Sequence, residues 1–243
     1  MEMARDCQGI RVHAVRFGHQ RGAVFYAALP GDGETLKGCG ANRVVAKKHL
    51  VSTLLDHVAA MANPLWQYRH LCDRAAFPMR VTHGPLGRPL LLLGEARGPA
   101  ISFSEAGGTV WAALCGDGSE VGIDAASAGE FHGEYPAQRV FHDRELHHAL
   151  RLTGGDAAGA SALLWSIKEA AVKALGCAFH LVAPRQVLVS PAIGGEEGYT
   201  FEVCLTGKAL RRYPAGSGRP IRVRSFADEK MWLSIALLVW QSQ

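Results

Sequence analysis

The sequence has no hydrophobic run long enough to cross a bilayer. Its longest strongly apolar stretch, Met231 to Trp240, is ten residues long and includes Ser234, well short of the roughly 20 residues a spanning helix needs. The first residues, Met1 to Asp6, show no apolar core of a secretory signal, so a cytoplasmic chain is expected. The six cysteines (positions 7, 39, 72, 115, 177 and 204) form no C-x2-C pair. That excludes the common structural zinc frameworks and, without a signal, a disulfide scaffold, leaving buried free thiols as the expectation. There is no G-x-G-x-x-G after a strand, no Walker G-x4-G-K-[ST], no G-x-S-x-G and no H-x-x-x-H beside an acid. Dinucleotide-fold, P-loop, serine-elbow and zincin chemistries are therefore not indicated. No solenoid repeat or low-complexity tract is present either.

Charge of one sign is also scarce. The 243 residues carry 26 Lys+Arg against 22 Asp+Glu, a formal net charge of +4, with 48% hydrophobic and 20% charged residues. This is ordinary globular composition for one large domain or two smaller ones. The surplus suits an anionic ligand but is too mild to mark a nucleic-acid binder.

Periodicity supplies the elements. Apolar residues between Val12 and Leu29 predict one or two strands closed by a turn at Pro30-Gly31-Asp32-Gly33. Val44, Val51, Leu54, Leu55 and Val58 give residues 41–62 the spacing of an amphipathic helix. Arg43, Lys47 and Lys48 crowd its first turns, where a solvated face is the plain expectation and a phosphate contact the alternative. Leu90 to Leu93 predicts a strand, and Ala100–Ser104 with Thr109–Leu114 a hairpin turning at Gly107-Gly108. The turn-rich Gly116-Asp117-Gly118 places a boundary, dividing the chain into halves 1–118 and 119–243. In the second half a strand at Val121–Asp124 ends on a carboxylate. Asp143 is placed to cap a helix, and Gly154 to Gly159 reads as a break. Residues 160–176 form the strongest helix, with Leu164, Ile167, Ala171, Ala174 and Leu175 as its core stripe and Gly176 just past its end. Strands are expected at 187–189, 199–205, 221–223 and 231–239. The fold class is α+β.

Individually, the polar residues of that helix say little. Glu169 and Lys173 stand at i and i+4, which on an exposed face is merely a stabilising pair. The pair His147-His148 reads as solvated. Lys208, Arg211, Arg212, Arg219, Arg222 and Arg224 lie in a stretch without an acid between Glu202 and Asp228. That stretch reads as a solvated loop and strand edge or as a docking surface for an acidic protein, and alone it would also permit nucleic-acid binding.

The combination is more informative. Val121-Gly122-Ile123-Asp124, followed by Trp165-Ser166-Ile167-Lys168-Glu169 and Lys173 through Gly176, resembles the paired signature of the 4′-phosphopantetheinyl transferases: G-[IV]-D, then W-[AS]-x-K-E-[AS]-x-x-K-x-x-G. Gly87-Arg88-Pro89 is similar to the family's G-[RK]-P loop, Ile101 to Ser104 sits where its F-N-[IL]-S-H-[ST] strand lies, and Val140 to Leu146 resembles its F-[ST]-x-x-E-x stretch. The length resembles the larger, Sfp-like subfamily. That resemblance implies a pseudo-two-fold pair of similar α+β halves with coenzyme A in the cleft between them. It further implies a monomer acting on neither membrane nor nucleic acid. The implied reaction moves 4′-phosphopantetheine from coenzyme A to a serine of an acyl or peptidyl carrier protein, releasing 3′,5′-ADP. By resemblance Asp124 and Glu169 hold Mg²⁺, Glu169 is the base, Lys173 protonates the leaving group, and Lys168 and Lys173 neutralise phosphates. Arg88 and Ser104 meet the nucleotide end, with Lys47 or Lys48 as further contacts.

Two positions depart from the family. Ala126 stands where a second carboxylate is usual, so water or Glu145 is expected to complete the metal's ligands. Glu105 replaces a histidine near the 3′-phosphate, which it would repel unless it turns outward or pairs with Arg88. These departures keep open a non-catalytic relative that only binds coenzyme A or the carrier.

Overall fold

The computed structural model describes residues 10–17, 23–30, 43–61, 78–116, 118–133, 135–195, 198–213, 220–228 and 231–239. Strands β1 (Val12–Arg16) and β2 (Ala23–Pro30) precede helix α1 (Arg43–Ala60). Then come β3 (Met79–His83), β4 (Pro89–Leu93), β5 (Ala96–Arg97), β6 (Ala100–Ala106) and β7 (Thr109–Cys115). One antiparallel sheet runs β1-β2-β7-β6, and β3-β4-β5 form a small separate sheet. The second part begins with β8 (Ser119–Ser127) and three helices, α2 (Ala137–Val140), α3 (Asp143–Leu152) and α4 (Ala157–Ala174). It ends with β9 (Val187–Val189), β10 (Ile193–Gly195), β11 (Gly198–Leu205), helix α5 (Gly207–Arg212), β12 (Ile221–Asp228) and β13 (Met231–Val239). Its sheet runs β10-β11-β12-β13-β8, with β9 beside β11.

Side-chain alternation sets the layers. On β7, Val110, Ala112 and Leu114 pack with Leu50, Leu54 and Val58 of α1. Trp111, Ala113 and Cys115 on the other face pack with Val121, Ile123 and Ala125 of β8 and Leu233, Ile235 and Leu237 of β13. The opposite face of the second sheet, including Trp232, Ala236 and Leu238, meets α4. The order is thus helix, sheet, sheet, helix, an α+β architecture in which β7, β8 and β13 are buried on both faces. Each leucine or isoleucine so buried contributes about 1.5–3 kcal/mol.

Helix α4 begins at Asp156, whose carboxylate accepts from Ala158 N–H at 3.0 Å. It ends in a Schellman turn, where Gly176 N–H donates to Lys173 O at 2.9 Å and Cys177 N–H to Val172 O at 3.0 Å. Gly176 sits at φ +74°, and an added Cβ would stand 2.6 Å from the Arg88 guanidinium. Gly122 lets the helix rest directly on β8: a Cβ there would lie 1.9 Å from Ala170 O. Neighbouring residues of the expected signature thus have distinct duties, since Gly122 admits the helix that carries Glu169 and Lys173, and Asp124 faces what that helix brings.

Several expectations are corrected. The helix opens at Ala157, so only Gly154 and Gly155, both at positive φ, make the break. Asp143 is the first residue of α3 rather than its cap; His142 takes that place, with its N–H donating to Glu145 Oε2 at 2.8 Å. The side of α4 opposite the expected stripe is not solvated, for Lys168 and Val172 are buried. Residues 207–212 form a helix, and β3 and β10 are additions to the expected strands. The Gly107-Gly108 hairpin stands, closing on the Ala106–Thr109 pair. The turn at residues 31–33, and Cys7, Cys39 and Cys72, lie outside the described residues. Cys115 and Cys177 are buried, as expected of the thiols, whereas Cys204 is exposed.

Candidate functional site

The site grows from a seam. Strands β6 and β8 lie edge to edge, yet side chains join them where a ladder would be expected. Ser102 Oγ accepts from Ile123 N–H at 3.1 Å, and Ser104 Oγ accepts from Ala125 N–H at 3.0 Å. Ser104 in turn donates to Asp124 Oδ1 at 2.9 Å. Lys173, reaching in from the last turn of α4, donates to Phe103 O at 3.2 Å, Ile123 O at 3.1 Å and Asp124 Oδ1 at 2.7 Å. Two serines and one lysine satisfy the exposed edge of β8 and hold Asp124 at its centre.

Asp124 is 4% exposed. Burial pushes its carboxyl up to about 7 from an ordinary 3.8; Lys173 pulls it back, and the nearby Glu169 charge pushes it further. Glu169, half-buried on α4, has no hydrogen-bond or ion-pair partner among the described residues. Two carboxylates, one of them unpartnered, therefore repel each other from a strand and its facing helix. That donor set fits a hard divalent cation, which takes oxygen ligands and fills its other positions with water or substrate oxygens. No group of three or more histidine, cysteine or acidic side chains gathers among the described residues, and Ala126, 1% exposed, faces the core.

Beside the seam opens a cleft of about 360 Å³. Its walls come from both parts of the chain, and Arg43, Lys47, Lys48, Arg88 and Lys173 line it over an apolar floor that includes Ile101 and Phe103. Asp124 and Glu169 do not line the cleft; Lys173, which lines it, bonds Asp124. Arg88 pairs with Glu120, which also meets Arg97 at 3.2 Å. Leu86 at the mouth holds the left-handed conformation, φ +67°, and is 52% exposed.

The structure thus brings Asp124, Ser104, Glu169 and Lys173 together, with Arg88, Lys47 and Lys48 around the adjoining cleft. Ser104, expected at the nucleotide end, is instead buried, does not line the cleft and is engaged with Asp124 and Ala125. Lys168 and Glu145 belong elsewhere. Lys168 is 0% exposed, and its ammonium donates to Glu145 Oε2 at 2.9 Å, Val187 O at 2.7 Å and Pro184 O at 3.1 Å. Glu145 also accepts from His142 N–H and from Val189 N–H at 2.8 Å. With all three N–H of the ammonium donated and the carboxylate accepting three bonds, the expected phosphate contact of Lys168 and metal contact of Glu145 give way to a buried structural pair. Glu145 faces a second hollow of about 630 Å³ with His142, His148 and Arg185. Glu105 does not pair with Arg88. It meets Lys47 at 2.8 Å and Arg43 at 3.1 Å.

Three features had no sequence signal. Ser102 matches no motif. Arg88's partner Glu120 lies at the start of β8, where the sequence carries no motif. Ser234, across the ladder from Asp124, joins Ser166 at 2.7 Å and Ser225 at 2.8 Å in a fully buried chain of hydroxyls. The basic stretch divides: Lys208, Arg211 and Arg212 are exposed on α5, Arg222 and Arg224 are half-buried on β12, and Arg219 lies outside the described residues.

Residues 120–206 match the model of the 4′-phosphopantetheinyl transferase superfamily. That span holds Asp124, Glu169 and Lys173 but not Arg88, Ser104, Lys47 or Lys48. No curated protein sequence gives a significant match. Among solved structures, an ACPS–CoA complex from Chronobacterium ammoniagenes is similar over 51% of this chain and 98% of its own, at 20% identity and a TM-score of 0.41. The holo-ACP synthase of Plasmodium yoelii is similar over 51% of this chain and 95% of its own, at 16% identity and a TM-score of 0.41.

Proposed function

We propose that this chain transfers 4′-phosphopantetheine from coenzyme A to a serine of a carrier protein, as a member of the Sfp-like, two-halved type acting as a cytoplasmic monomer. The observation that supports it most is the meeting of Asp124, the unpartnered Glu169 and Lys173 at a seam beside a cation-lined cleft, within the span that matches the superfamily. No helix among the described residues is long and apolar enough to cross a membrane.

In this reading the cleft takes coenzyme A with its pyrophosphate at Lys173 and its nucleotide end towards Arg88. Asp124 and Glu169 would hold Mg²⁺, which supplies positive charge to polarise the pyrophosphate. Glu169, directly or through a water, accepts the proton of the carrier serine as its oxygen bonds to the phosphorus bearing pantetheine. The bond from that phosphorus to the departing 3′,5′-ADP breaks, and Lys173 stabilises and protonates the leaving oxygen. Ser104 keeps Asp124 in place through its hydroxyl. Exposed Lys208, Arg211 and Arg212 on α5 offer an acidic carrier a docking surface.

The test is to incubate the protein with coenzyme A, Mg²⁺ and an apo carrier and to weigh the carrier. A carrier heavier by one phosphopantetheine is expected. Unmodified fatty-acid, polyketide and peptide carriers would overturn the proposal. Coenzyme A binding without any transfer would instead support a non-catalytic relative, the reading favoured by Ala126 in place of a further carboxylate and by Glu105 on Arg43 and Lys47.

A further inference from the structure

The cations of the cleft are not equally available. Arg88 and Lys173 are held by Glu120 and Asp124, whose side chains are 11% and 6% exposed. These acids sit behind their partners and steady them without facing solvent. Arg43 and Lys47 are held by Glu105, whose side chain is 29% exposed. Glu105 therefore places a solvent-facing negative charge on the rim, bridging both cations at the start of α1. Phe103 lies between the two sets: its carbonyl accepts from Lys173 and its ring faces the Lys47 ammonium at 5.6 Å.

Coenzyme A carries two anionic groups, a pyrophosphate near its reacting end and a 3′-phosphate on its nucleotide. With the first at Lys173 and the nucleotide lying towards Arg88, itself held by Glu120, the 3′-phosphate is left to the rim cations Arg43 and Lys47. A phosphate arriving there meets Arg43 and Lys47 already neutralised, and it must approach the Glu105 carboxylate to share them. Like charges a few ångströms apart in a partly desolvated site repel strongly. Exposed ion pairs such as Glu105 with Arg43, whose side chain is 80% exposed, are themselves weak, so freeing these cations costs the fold little.

We infer that Glu105 is a specificity-determining residue that withholds Arg43 and Lys47 from the 3′-phosphate, so that this cleft discriminates weakly between coenzyme A and 3′-dephospho-coenzyme A. This rests on the transfer activity proposed above. Lys48, exposed and without an ion-pair partner among the described residues, is left to give the terminal phosphate a single solvated contact.

Titration calorimetry of both ligands against the wild type and Glu105→Gln tests this, with thermal melts verifying that both proteins are folded. The wild type should bind the two ligands within about threefold of each other. Glu105→Gln should tighten coenzyme A by about tenfold and leave 3′-dephospho-coenzyme A unchanged, the size expected for removing one close like charge. Adding Arg43→Ala to Glu105→Gln should remove most of that gain. Weaker or unchanged coenzyme A binding by Glu105→Gln, or equal tightening of both ligands, would overturn the inference while leaving the proposed function standing. Failure of the wild type to bind coenzyme A at all would overturn both.

Discussion

Lys168 and Lys173 lie five residues apart on one helix and make the same kind of contacts: each ammonium donates to one carboxylate and two backbone carbonyls. Their surroundings separate them. The partner of Lys168 is saturated by two further N–H groups, and the pair is sealed in the core of the second half. The partner of Lys173 stands beside an unpartnered carboxylate, and Lys173 itself is 26% exposed and lines the cleft. Burial of its side chain depresses the Lys168 ammonium, and the Glu145 charge opposes this. One run of motif residues therefore serves two ends: one lysine fixes the helix, the other works at the seam that the fixed helix creates.

Removing Lys168 should separate the two lysines most widely. Lys168→Met leaves Glu145 buried without its counter-charge and should cost about 3–5 kcal/mol in urea unfolding. Replacing both partners, as Lys168→Met with Glu145→Leu, should recover most of that, because the penalty is mainly the orphaned charge. A Lys168→Met protein as stable as the wild type would rule out a structural role for Lys168. Lys173→Ala should act in the opposite sense: transfer falls about 100-fold, the order expected for losing one positioned charge, while stability falls by less than about 2 kcal/mol.

Gly176→Ala tests the turn that aims Lys173 and abuts Arg88. The left-handed conformation and the guanidinium contact should cost about 1–2 kcal/mol, with a weakened affinity for coenzyme A as the second readout. A further effect concerns pH. Because the folded Asp124 carboxyl is raised to about 7 from 3.8, the native state binds the proton more tightly than the unfolded chain between those values. Its contribution is therefore fully present at pH below about 4 and declines as pH rises towards about 7. The stability of the wild type relative to Asp124→Asn should fall across that window, and a flat difference would contradict the assigned burial.

The elements most legible in the sequence are those fixed by local chemistry. Gly107-Gly108 dictates a two-residue hairpin, the spacing of Val51, Leu54, Leu55 and Val58 dictates α1, and Gly176 ends α4 as its position implies. Asp124, Glu169 and Lys173 were legible as a group through their resemblance to one family's signature. The different fates of Lys168 and Lys173 were not, because helix periodicity places both off the core stripe and cannot register that β9 and α3 bury the first. The serine hydroxyls joining β6 to β8 were invisible for a related reason: they depend on two strand edges meeting, and no residue spacing encodes that. Glu105 showed its departure from the family pattern, but its partners Arg43 and Lys47 follow from how α1 sits over β6.

Two glutamates set against each other in the carrier-modification assay probe the location of the chemistry. Glu169→Gln should melt like the wild type and leave the carrier unmodified, whereas Glu145→Gln should melt lower yet still modify the carrier in proportion to the protein that remains folded. A Glu169→Gln protein that modifies the carrier at the wild-type rate would contradict the placement of the chemistry at Asp124, Glu169 and Lys173.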